Sequence, residues 1–308
     1  MPLFDLSSGD PIADKRFALA QSYEEAGEFA IAADLYEQAL EIAPDWVAAW
    51  YALGNARLRA DDGEAARLAY ERSLVLDPDD LFGARLKLAL MDAAAPAAPP
   101  RAYVAGLFDQ YAEKFDHVLV DKLQYRAPQL IAAALDDAGI GEVAAALDLG
   151  CGTGLMAAAL AGRVLAIDGV DLSAAMVEEA RAKGLYRRLS VDDIVAHTDG
   201  LEAGSLDLVV AADVLCYLGD LEPVFAAVAR VLGPDGAFAF SVEALDAETE
   251  NDTLGYTLRG SMRYAHDLNS LIDLGQTHDL TIATVKLDWL RLDRGEPILG
   301  FVMVFRRG

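Results

Sequence analysis

The feature that most constrains the fold is a run of ten residues, A-L-D-L-G-C-G-T-G-L at 146–155, in which three glycines alternate with other residues. An apolar run at 143–149 precedes the glycines, and a helix-forming run at 156–161 follows them. This order predicts a strand, a glycine turn and a helix. Glycines let a ligand approach the main chain closely, and a helix start offers unpaired N–H groups. The stretch therefore predicts a site for a nucleotide-like ligand.

The residues around this turn alternate between strand-like and helix-like segments, which predicts an α/β fold with a doubly wound, mainly parallel sheet. The predicted parallel strands are 144–149, 164–170, 188–191, 206–211 and 237–242, and a closing antiparallel pair is predicted at 280–287 and 300–305. Helices are predicted at 103–111 and 119–135 before the first strand. Ligands of such sheets bind beyond the carboxyl ends of the strands. Acidic residues follow three of these ends: Asp171, Asp192, Asp193 and Asp213.

The first ninety residues contain an internal repeat with an offset of 34, which aligns Leu19, Tyr36 and Pro44 with Leu53, Tyr70 and Pro78. The second copy places a large apolar residue, Leu, Gly, Ala, an aromatic and a closing Pro where a tetratricopeptide repeat has them. The segment resembles two such repeats, at 13–46 and 47–80. The first copy departs from the pattern, with Arg16 in place of the Trp and Ala20 in place of the Gly.

A further helix, predicted at 81–92, would cover the open end of the second repeat. About three repeats are needed for independent stability, so this module is expected to dock on the second domain or on another chain. Its function is either to bind a peptide or protein or to act as a stabilising or dimerising appendage. The run A-A-P-A-A-P-P at 94–100 reads as an extended linker. We therefore predict a helical domain at 1–93 and a second domain at 101–308.

The composition excludes several classes of function. The chain of 308 residues has a formal net charge of −25, which argues against nonspecific binding to nucleic acid phosphates or to an anionic membrane. Two cysteines are too few for a disulfide framework or a four-thiolate zinc site. We find neither a basic leader with an apolar core nor an apolar run long enough to span a bilayer. A cytoplasmic protein without a bound metal is expected.

The spacing of the glycines argues against two common nucleotide sites. Dinucleotide-binding turns have the pattern G-x-G-x-x-G, whereas these glycines read G-x-G-x-G and Leu155 occupies the position of the third glycine. The G-x-x-x-x-G-K-[ST] pattern of triphosphate-binding loops is absent from the sequence. The turn must therefore serve another nucleotide-like ligand.

Four motifs in order carry a more specific resemblance. They read L-D-L-G-C-G-T-G, then G-V-D-L-S, then D-L-V-V-A-A-D-V-L, then V-L-G-P-D-G-A-F-A-F-S, and together they cover roughly 143–243. This set resembles the class I S-adenosylmethionine-dependent methyltransferases. With the repeats, F-D-Q-Y-A-E-K-F-D at 108–116 and R-Y-A-H at 263–266, nearly the whole chain is similar to a bacterial group of predicted methyltransferases with N-terminal repeats.

The resemblance implies a role for each residue near the glycine turn. Asp148 would take the ammonium group of S-adenosylmethionine, directly or through water. The turn itself would hold the amino acid tail through Gly150, Cys151 and Gly152, with Cys151 acting as a small side chain rather than a reactive thiol. Asp171 would accept hydrogen bonds from both ribose hydroxyls, because a charged acceptor makes the stronger bonds.

Later strand ends would complete the cofactor site. Leu172 and Met176 would flank the adenine with apolar surface. Either Asp193 or Asp192 would accept the adenine amino group, with Asp193 slightly favoured, because a shift of one residue in register exchanges them. The methionine moiety would face the end of the fourth strand, which contains Ala212 and Asp213. A carboxylate at position 213 could instead cap the next turn.

The sequence indicates the residues that would contact the methyl acceptor less clearly than those that would contact the cofactor. Aromatic candidates lie before the first strand (Phe108, Tyr111, Phe115 and Tyr125) and after the fourth, where Tyr217 stands. The segment R-G-S-M-R-Y-A-H at 259–266 is also a candidate, since Arg263 could pair with a substrate carboxylate or phosphate and His266 could act as a base. The competing interpretations are a core face for the aromatics and a helix cap with internal salt bridges for 259–266.

Two functions of different classes remain open. The first is S-adenosylmethionine-dependent methyl transfer to a small molecule or a protein, with a slight preference for a small metabolite. The second is an interaction scaffold whose methyltransferase-like domain binds cofactor without catalysis. A nucleic acid acceptor is disfavoured, since A-D-V-L follows the fourth strand where such enzymes carry an N/D-P-P-Y/F tetrapeptide. Radical chemistry is excluded because the sequence lacks C-x-x-x-C-x-x-C.

Overall fold

The computed structural model describes residues 7–245 and 254–308. The chain divides into two compact units, Met1–Gln110 and Tyr111–Gly308. The helix at 101–109 thus groups with the first unit, whereas the sequence suggested a boundary at 94–100. Within the described ranges, no helix combines the length and apolar character needed to cross a membrane.

The first unit is helical, and its helices pair as the repeat predicts. Asp10 caps the first helix by accepting the N–H of Ile12 at 2.7 Å, and Asp62 caps the fourth. The second helix of each repeat buries a tyrosine completely, Tyr36 and Tyr70, so an aromatic ring fills the space inside each helix pair. The helices are α1 (Pro11–Glu25), α2 (Phe29–Ile42), α3 (Val47–Arg59), α4 (Gly63–Leu76), α5 (Ala84–Met91) and α6 (Arg101–Asp109).

Gly54 on α3 is the point of closest approach to α4. A Cβ atom at this position would lie 2.6 Å from Cε1 of Tyr70. The ring of Tyr70 has no room to move, because it is fully buried and its hydroxyl donates to Oδ1 of Asn55 at 2.9 Å. The glycine in the repeat signature is therefore a packing requirement.

We predict that Gly54→Ala destabilises the helical unit by about 1–2 kcal/mol, because overpacking costs more than the helix propensity gained. Gly63→Ala is a matched control, since the nearest atom to its added Cβ is Cε of Met91 at 4.0 Å. Hydrogen–deuterium exchange of α3 and α4 in the full chain measures the effect. Unchanged protection in Gly54→Ala, or equal loss in both variants, would contradict the packing argument.

The second unit is built on a sheet of nine strands among the described residues. A 3₁₀ turn (Ala112–Lys114) and a π-helical segment (His117–Lys122) precede it. The helices are α7 (Ala127–Asp137), α8 (Leu155–Ala159), α9 (Ala174–Lys183), α10 (Ile194–Asp199), α11 (Glu222–Val231) and α12 (Leu268–Thr277), with a 3₁₀ turn at Leu215–Tyr217. The strands are β1 (Val143–Leu149), β2 (Val164–Asp171), β3 (Arg188–Val191), β4 (Leu206–Ala211), β5 (Leu232–Ala244), β6 (Tyr256–Leu258), β7 (Tyr264–His266), β8 (Leu280–Asp293) and β9 (Glu296–Arg307).

The strand order is β3-β2-β1-β4-β5, and all of these neighbours pair in parallel. On the far side of β5, β9 pairs antiparallel from Ala237 to Glu243 and carries β8 outside it. The predicted doubly wound sheet and its closing antiparallel pair are therefore confirmed. Because the five central strands are parallel, their carboxyl ends meet at one edge of the sheet, where ligands of such folds bind.

The structure corrects the sequence interpretation in two places. The helix predicted at 119–135 is interrupted, because Gln124 has a φ of 51° and α7 begins afresh at Ala127 with Pro128 in its first turn. Proline suits a first turn but not a helix interior. The segment 259–266 contributes β7, which pairs with β6 as a hairpin and with the end of β5 at Glu243 and Ala244, and it is not a helix cap.

Candidate functional site

The glycine turn lies at the carboxyl end of β1 and has left-handed backbone at each glycine. The φ angles are 63° at Gly150, 51° at Gly152 and 94° at Gly154. A Cβ at Gly150 would lie 2.4 Å from Cγ2 of Val214, so only glycine fits there. Cys151 is buried between them, and burial raises the pKa of its thiol. Burial therefore disfavours the thiolate, which is the reactive form of cysteine.

Asp148 is a buried carboxylate with one engaged oxygen. Its Oδ2 accepts a hydrogen bond from the hydroxyl of Tyr186 at 2.6 Å. Its Oδ1 is buried and has no hydrogen-bond partner among the described residues. Burial raises the pKa of Asp148 to about 7, against the opposing effect of the Tyr186 hydroxyl. A buried acceptor without a partner is costly, so this oxygen suits a cationic donor supplied by a ligand.

Tyr186, which the sequence analysis missed, forms the wall behind the turn. Cβ atoms at Gly154 and Gly169 would lie 3.1 Å and 2.9 Å from its ring. The tyrosine precedes β3 and is not part of any motif quoted above, so its role follows only from the three-dimensional packing.

Asp171 joins the end of β2 to the glycine turn. Its Oδ2 accepts the N–H of Gly152 at 2.8 Å, and its Oδ1 accepts the N–H of Ser173 at 2.9 Å. Each carboxylate oxygen can accept a second hydrogen bond, so the predicted contact with a ribose diol remains chemically available. Leu172 is half-buried, whereas Met176 is fully buried, which leaves Leu172 as the better candidate to contact an adenine.

Asp192 and Asp193, the two acidic residues after β3, differ in their exposure and in their hydrogen-bond partners. Oδ1 of Asp193 accepts the N–H groups of Val195 and Ala196 at 3.1 Å and 3.0 Å, so this side chain caps α10. Asp192 is exposed and accepts the N–H of Asp193 at 2.8 Å. The cap makes Asp193 less available to a ligand than the sequence suggested.

Asp213, after β4, faces a buried arginine. It has a φ of 59°, and its Oδ1 accepts a hydrogen bond from Nη1 of Arg291 at 2.5 Å. Nη2 of Arg291 donates to Oε1 of Glu243, and the arginine is only 1% exposed. Ala212 presents its carbonyl oxygen to the hydroxyl of Tyr125 at 3.1 Å. Asp213 thus belongs to an ion cluster with Arg291 and Glu243, a contact that the sequence analysis did not predict.

The sequence analysis missed Arg291 and Glu243, although a signal was present. Both charged residues interrupt runs that otherwise read as apolar strand, A-F-A-F-S-V-E-A and L-D-W-L-R-L. Charged side chains are almost never fully buried unless paired, so two opposite charges inside otherwise apolar strands predict such a pair. The pairing partner itself is visible only in the fold.

Arg263 and Tyr217, which the sequence analysis named as separate acceptor-side candidates, lie in contact in the structure. Nε of Arg263 donates to the hydroxyl of Tyr217 at 3.0 Å, and its guanidinium carbon lies 5.4 Å from the ring centroid. Nη1 of Arg263 is 4.0 Å from Oε1 of Glu243, while Nη1 of Arg259 is 3.3 Å from Oε2 of the same carboxylate. The arginines of 259–266 therefore join the cluster around Glu243.

His266 is poorly suited to act as a base. It is 2% exposed, and its Nε2 lies 3.1 Å from the carbonyl oxygen of Gly219, so Nε2 carries the proton. Burial lowers its pKa to about 4, whereas an efficient base has a pKa near the working pH. The contact holds β7 against the segment after β4, which indicates a positioning role. Residues 246–253, between β5 and β6, lie outside the described residues.

The segment before α7 closes over the glycine turn. Asp116 accepts hydrogen bonds from the hydroxyl of Thr153 and from Nζ of Lys183, the latter at 2.5 Å. A Cβ at Gly152 would lie 3.9 Å from Cε1 of Phe115. Of the other aromatic candidates, Phe108 belongs to the first unit and Tyr111 begins the second. The site is thus covered from the side of Phe115 and Asp116.

Family comparisons agree with this geometry. Residues 147–240 match the methyltransferase domain family, and residues 14–56 match the tetratricopeptide repeat. The chain therefore contains a methyltransferase domain and, before it, a tetratricopeptide repeat. The methyltransferase domain match covers β1 to β5, the strands that carry the glycine turn, Asp171 and Asp213.

Curated relatives of the methyltransferase domain include three proteins. Human methyltransferase-like protein 27 is 44% identical over 101 residues, which are 32% of this chain and 41% of that protein. A ubiquinone biosynthesis O-methyltransferase of Xanthomonas oryzae pv. oryzae is 34% identical over 36% of this chain and 46% of its own. A malonyl-[acyl-carrier protein] O-methyltransferase of Geobacter sulfurreducens is 38% identical over 39% of this chain and 46% of its own length. The chain spans less than half the length of these relatives.

Solved structures agree in fold. The cyclase SpnF is 18% identical with a TM-score of 0.53, over 69% of this chain and 97% of its own. A Haloferax volcanii protein solved in complex with the Trm112 methyltransferase activator is 19% identical with a TM-score of 0.51. The match covers 65% of this chain and 96% of that protein. One of these two is named a cyclase, so the shared fold does not by itself specify the reaction.

Proposed function

We propose that this protein binds S-adenosylmethionine at the carboxyl ends of β1 and β2 and transfers its methyl group to an acceptor at the ends of β4 and β5. The observation that supports this most is the buried Oδ1 of Asp148, which has no partner among the described residues. Asp148 lies two residues before the left-handed turn that begins at Gly150. A ligand ammonium group would satisfy it.

The residues present fit this cofactor. Asp148 would bind the ammonium group, the turn from Gly150 to Gly152 would lie against the amino acid tail, and Asp171 would hold the ribose hydroxyls. Asp192 and Leu172 are exposed or half-buried and would contact the adenine. When bound, the cofactor supplies an electrophilic methyl group on a sulfonium centre.

The chain's own task in such a reaction is to align the acceptor and exclude water. Phe115 and Asp116 cover the turn on one side. Tyr125 fixes the carbonyl of Ala212 at the end of β4, which would orient the main chain facing the reacting centre. His266, the base considered from the sequence, has its pKa lowered to about 4 by burial, and this favours an acceptor that needs no deprotonation.

The acceptor is proposed to be a small molecule or a protein. The names of two relatives specify O-methyl transfer to different substrates, which supports methyl transfer without selecting between them. The repeats would bind a protein partner. The acidic charge of the chain argues against an acceptor in nucleic acid or on an anionic membrane surface.

Calorimetric titration with S-adenosylmethionine and with S-adenosylhomocysteine tests the proposal. Wild type is expected to bind both, and Asp171→Asn to weaken both by about 10–150-fold, since a charged acceptor contributes about 1.5–3 kcal/mol. Asp199→Asn, an exposed change on α10, is the control and should bind normally. If wild type binds neither compound, the domain would be left with a scaffold function only.

A further inference from the structure

The edge of the sheet at β4, β5 and β7 carries three guanidinium groups around two buried carboxylates. Arg291 bonds to both Asp213 and Glu243. Arg259 lies 3.3 Å from Oε2 of Glu243. Arg263 approaches Oε1 of Glu243 only to 4.0 Å, and that oxygen already accepts from Arg291. Of the three arginines, Arg263 therefore makes the longest of these contacts with a carboxylate of the cluster.

The orientation of Arg263 leaves its outer edge available. Its Nε donates to the hydroxyl of Tyr217 and its guanidinium lies over the tyrosine ring. These contacts use Nε and one face of the guanidinium, and Nη1 lies 4.0 Å from Oε1 of Glu243, while the side chain remains 23% exposed. The terminal nitrogens of a fixed guanidinium form a fork that matches a carboxylate or phosphate.

The position of Arg263 is on the acceptor side of the proposed reaction. Asp148 and Asp171 end β1 and β2, whereas the arginine cluster lies at the ends of β4 and β5, and β4 is the other neighbour of β1. A ligand anchored on Arg263 would thus lie next to the proposed donor rather than on top of it.

We propose that Arg263 binds an anionic group, a carboxylate or a phosphate, of the methyl acceptor. Tyr217 and Glu243 act as positioning residues that fix its guanidinium. This inference rests on the proposed function, because it assigns the acceptor of that reaction. It narrows the acceptor to an acidic compound, or to a protein segment that presents a carboxylate or phosphate.

The test is a calorimetric titration of the intact protein, saturated with S-adenosylhomocysteine, with malonate and separately with inorganic phosphate. Wild type is expected to bind at least one anion in the millimolar range, and the stronger one identifies the group. Arg263→Gln should weaken this binding at least about tenfold, whereas its affinity for S-adenosylhomocysteine should stay within about threefold of wild type. Arg263→Lys should fall between them, since it keeps the charge but lacks the fork. Arg187→Gln, an arginine paired with Asp168 on β2, is the matched control.

The outcomes separate the two proposals. Wild type that does not bind S-adenosylhomocysteine contradicts the proposed function. Wild type that binds it but binds neither anion, or Arg263→Gln that binds the anion as tightly as wild type, overturns the inference about Arg263. Should Arg263→Gln lose S-adenosylhomocysteine as well, Tyr217→Phe decides, because it removes only the hydroxyl that fixes Nε. At least about threefold weaker anion binding in Tyr217→Phe supports the inference, and unchanged binding overturns it.

Discussion

Arg291→Met is expected to destabilise the second unit by about 3–5 kcal/mol, because it leaves two buried carboxylates without their cation. Asp213 and Glu243 have side chains 11% and 2% exposed, and Arg291 contacts both. Their mutual repulsion adds to the cost of burying each charge. Urea denaturation of the intact chain, followed by the fluorescence of Trp289 two residues away, measures the change.

Two controls make this result specific. Arg187→Met removes a salt bridge whose arginine side chain is 46% exposed, and it should change stability by less than about 1 kcal/mol. The triple variant Arg291→Met, Asp213→Asn, Glu243→Gln removes the opposing charges together, and it should recover most of the loss, since buried ion pairs are often replaceable as a set. If the triple variant is as unstable as Arg291→Met alone, packing rather than charge explains the loss.

Asp148→Asn is expected to make the ligand-free protein more stable at pH 8 and to weaken its binding of S-adenosylmethionine. Burial raises the pKa of Asp148 from 3.8 to about 7. The folded state therefore binds this proton more tightly than the unfolded state, so stability falls as pH rises from about 4 to about 7, and above that range the full cost is present. Asparagine carries no charge and removes the cost. We expect a gain on the order of 2 kcal/mol at pH 8 and none at pH 4.

The same substitution should weaken S-adenosylmethionine binding by about 10–100-fold at pH 8, because the ammonium group loses its charged partner. Wild-type affinity should fall as pH drops below about 7, up to about tenfold per unit, since Asp148 must ionise to bind. In Asp148→Asn this pH dependence should vanish. Asp168→Asn, a carboxylate change on β2 beside Arg187, is the control and should keep the wild-type profile. A Kd that is flat with pH in the wild type would refute the assignment of Asp148.

The sequence specifies the positions of the proposed donor residues more directly than those of the proposed acceptor residues, for a physical reason. Residues such as Asp148, Gly150 and Asp171 belong to single short turns, where the local chain determines their placement. Every one of these lies at the strand end expected for it. The glycine at 54 was likewise predictable, since the repeat fixes which helix it faces.

The acceptor half depends on contacts between residues far apart in the chain. Arg291 is 78 residues from Asp213, and Tyr217 is 46 residues from Arg263. No local pattern specifies such pairs. The segment 259–266 was also compatible with a helix cap, because its pairing with the end of β5 depends on the complete fold. Burial, which decides that His266 is a poor base, also follows only from the complete fold.

The way in which β7 joins the sheet has a consequence for how acceptor preference can change. β1 and β2 share six register pairs, whereas β7 meets β5 in two, Glu243 with Ala265 and Ala244 with His266. The hairpin that carries Arg263 is thus grafted onto a sheet whose ladder is complete without it. If Arg263 binds the acceptor as proposed, exchanging this hairpin for one with a different side chain at position 263 is expected to change the acceptor preference and to leave the proposed cofactor residues of β1 and β2 in place.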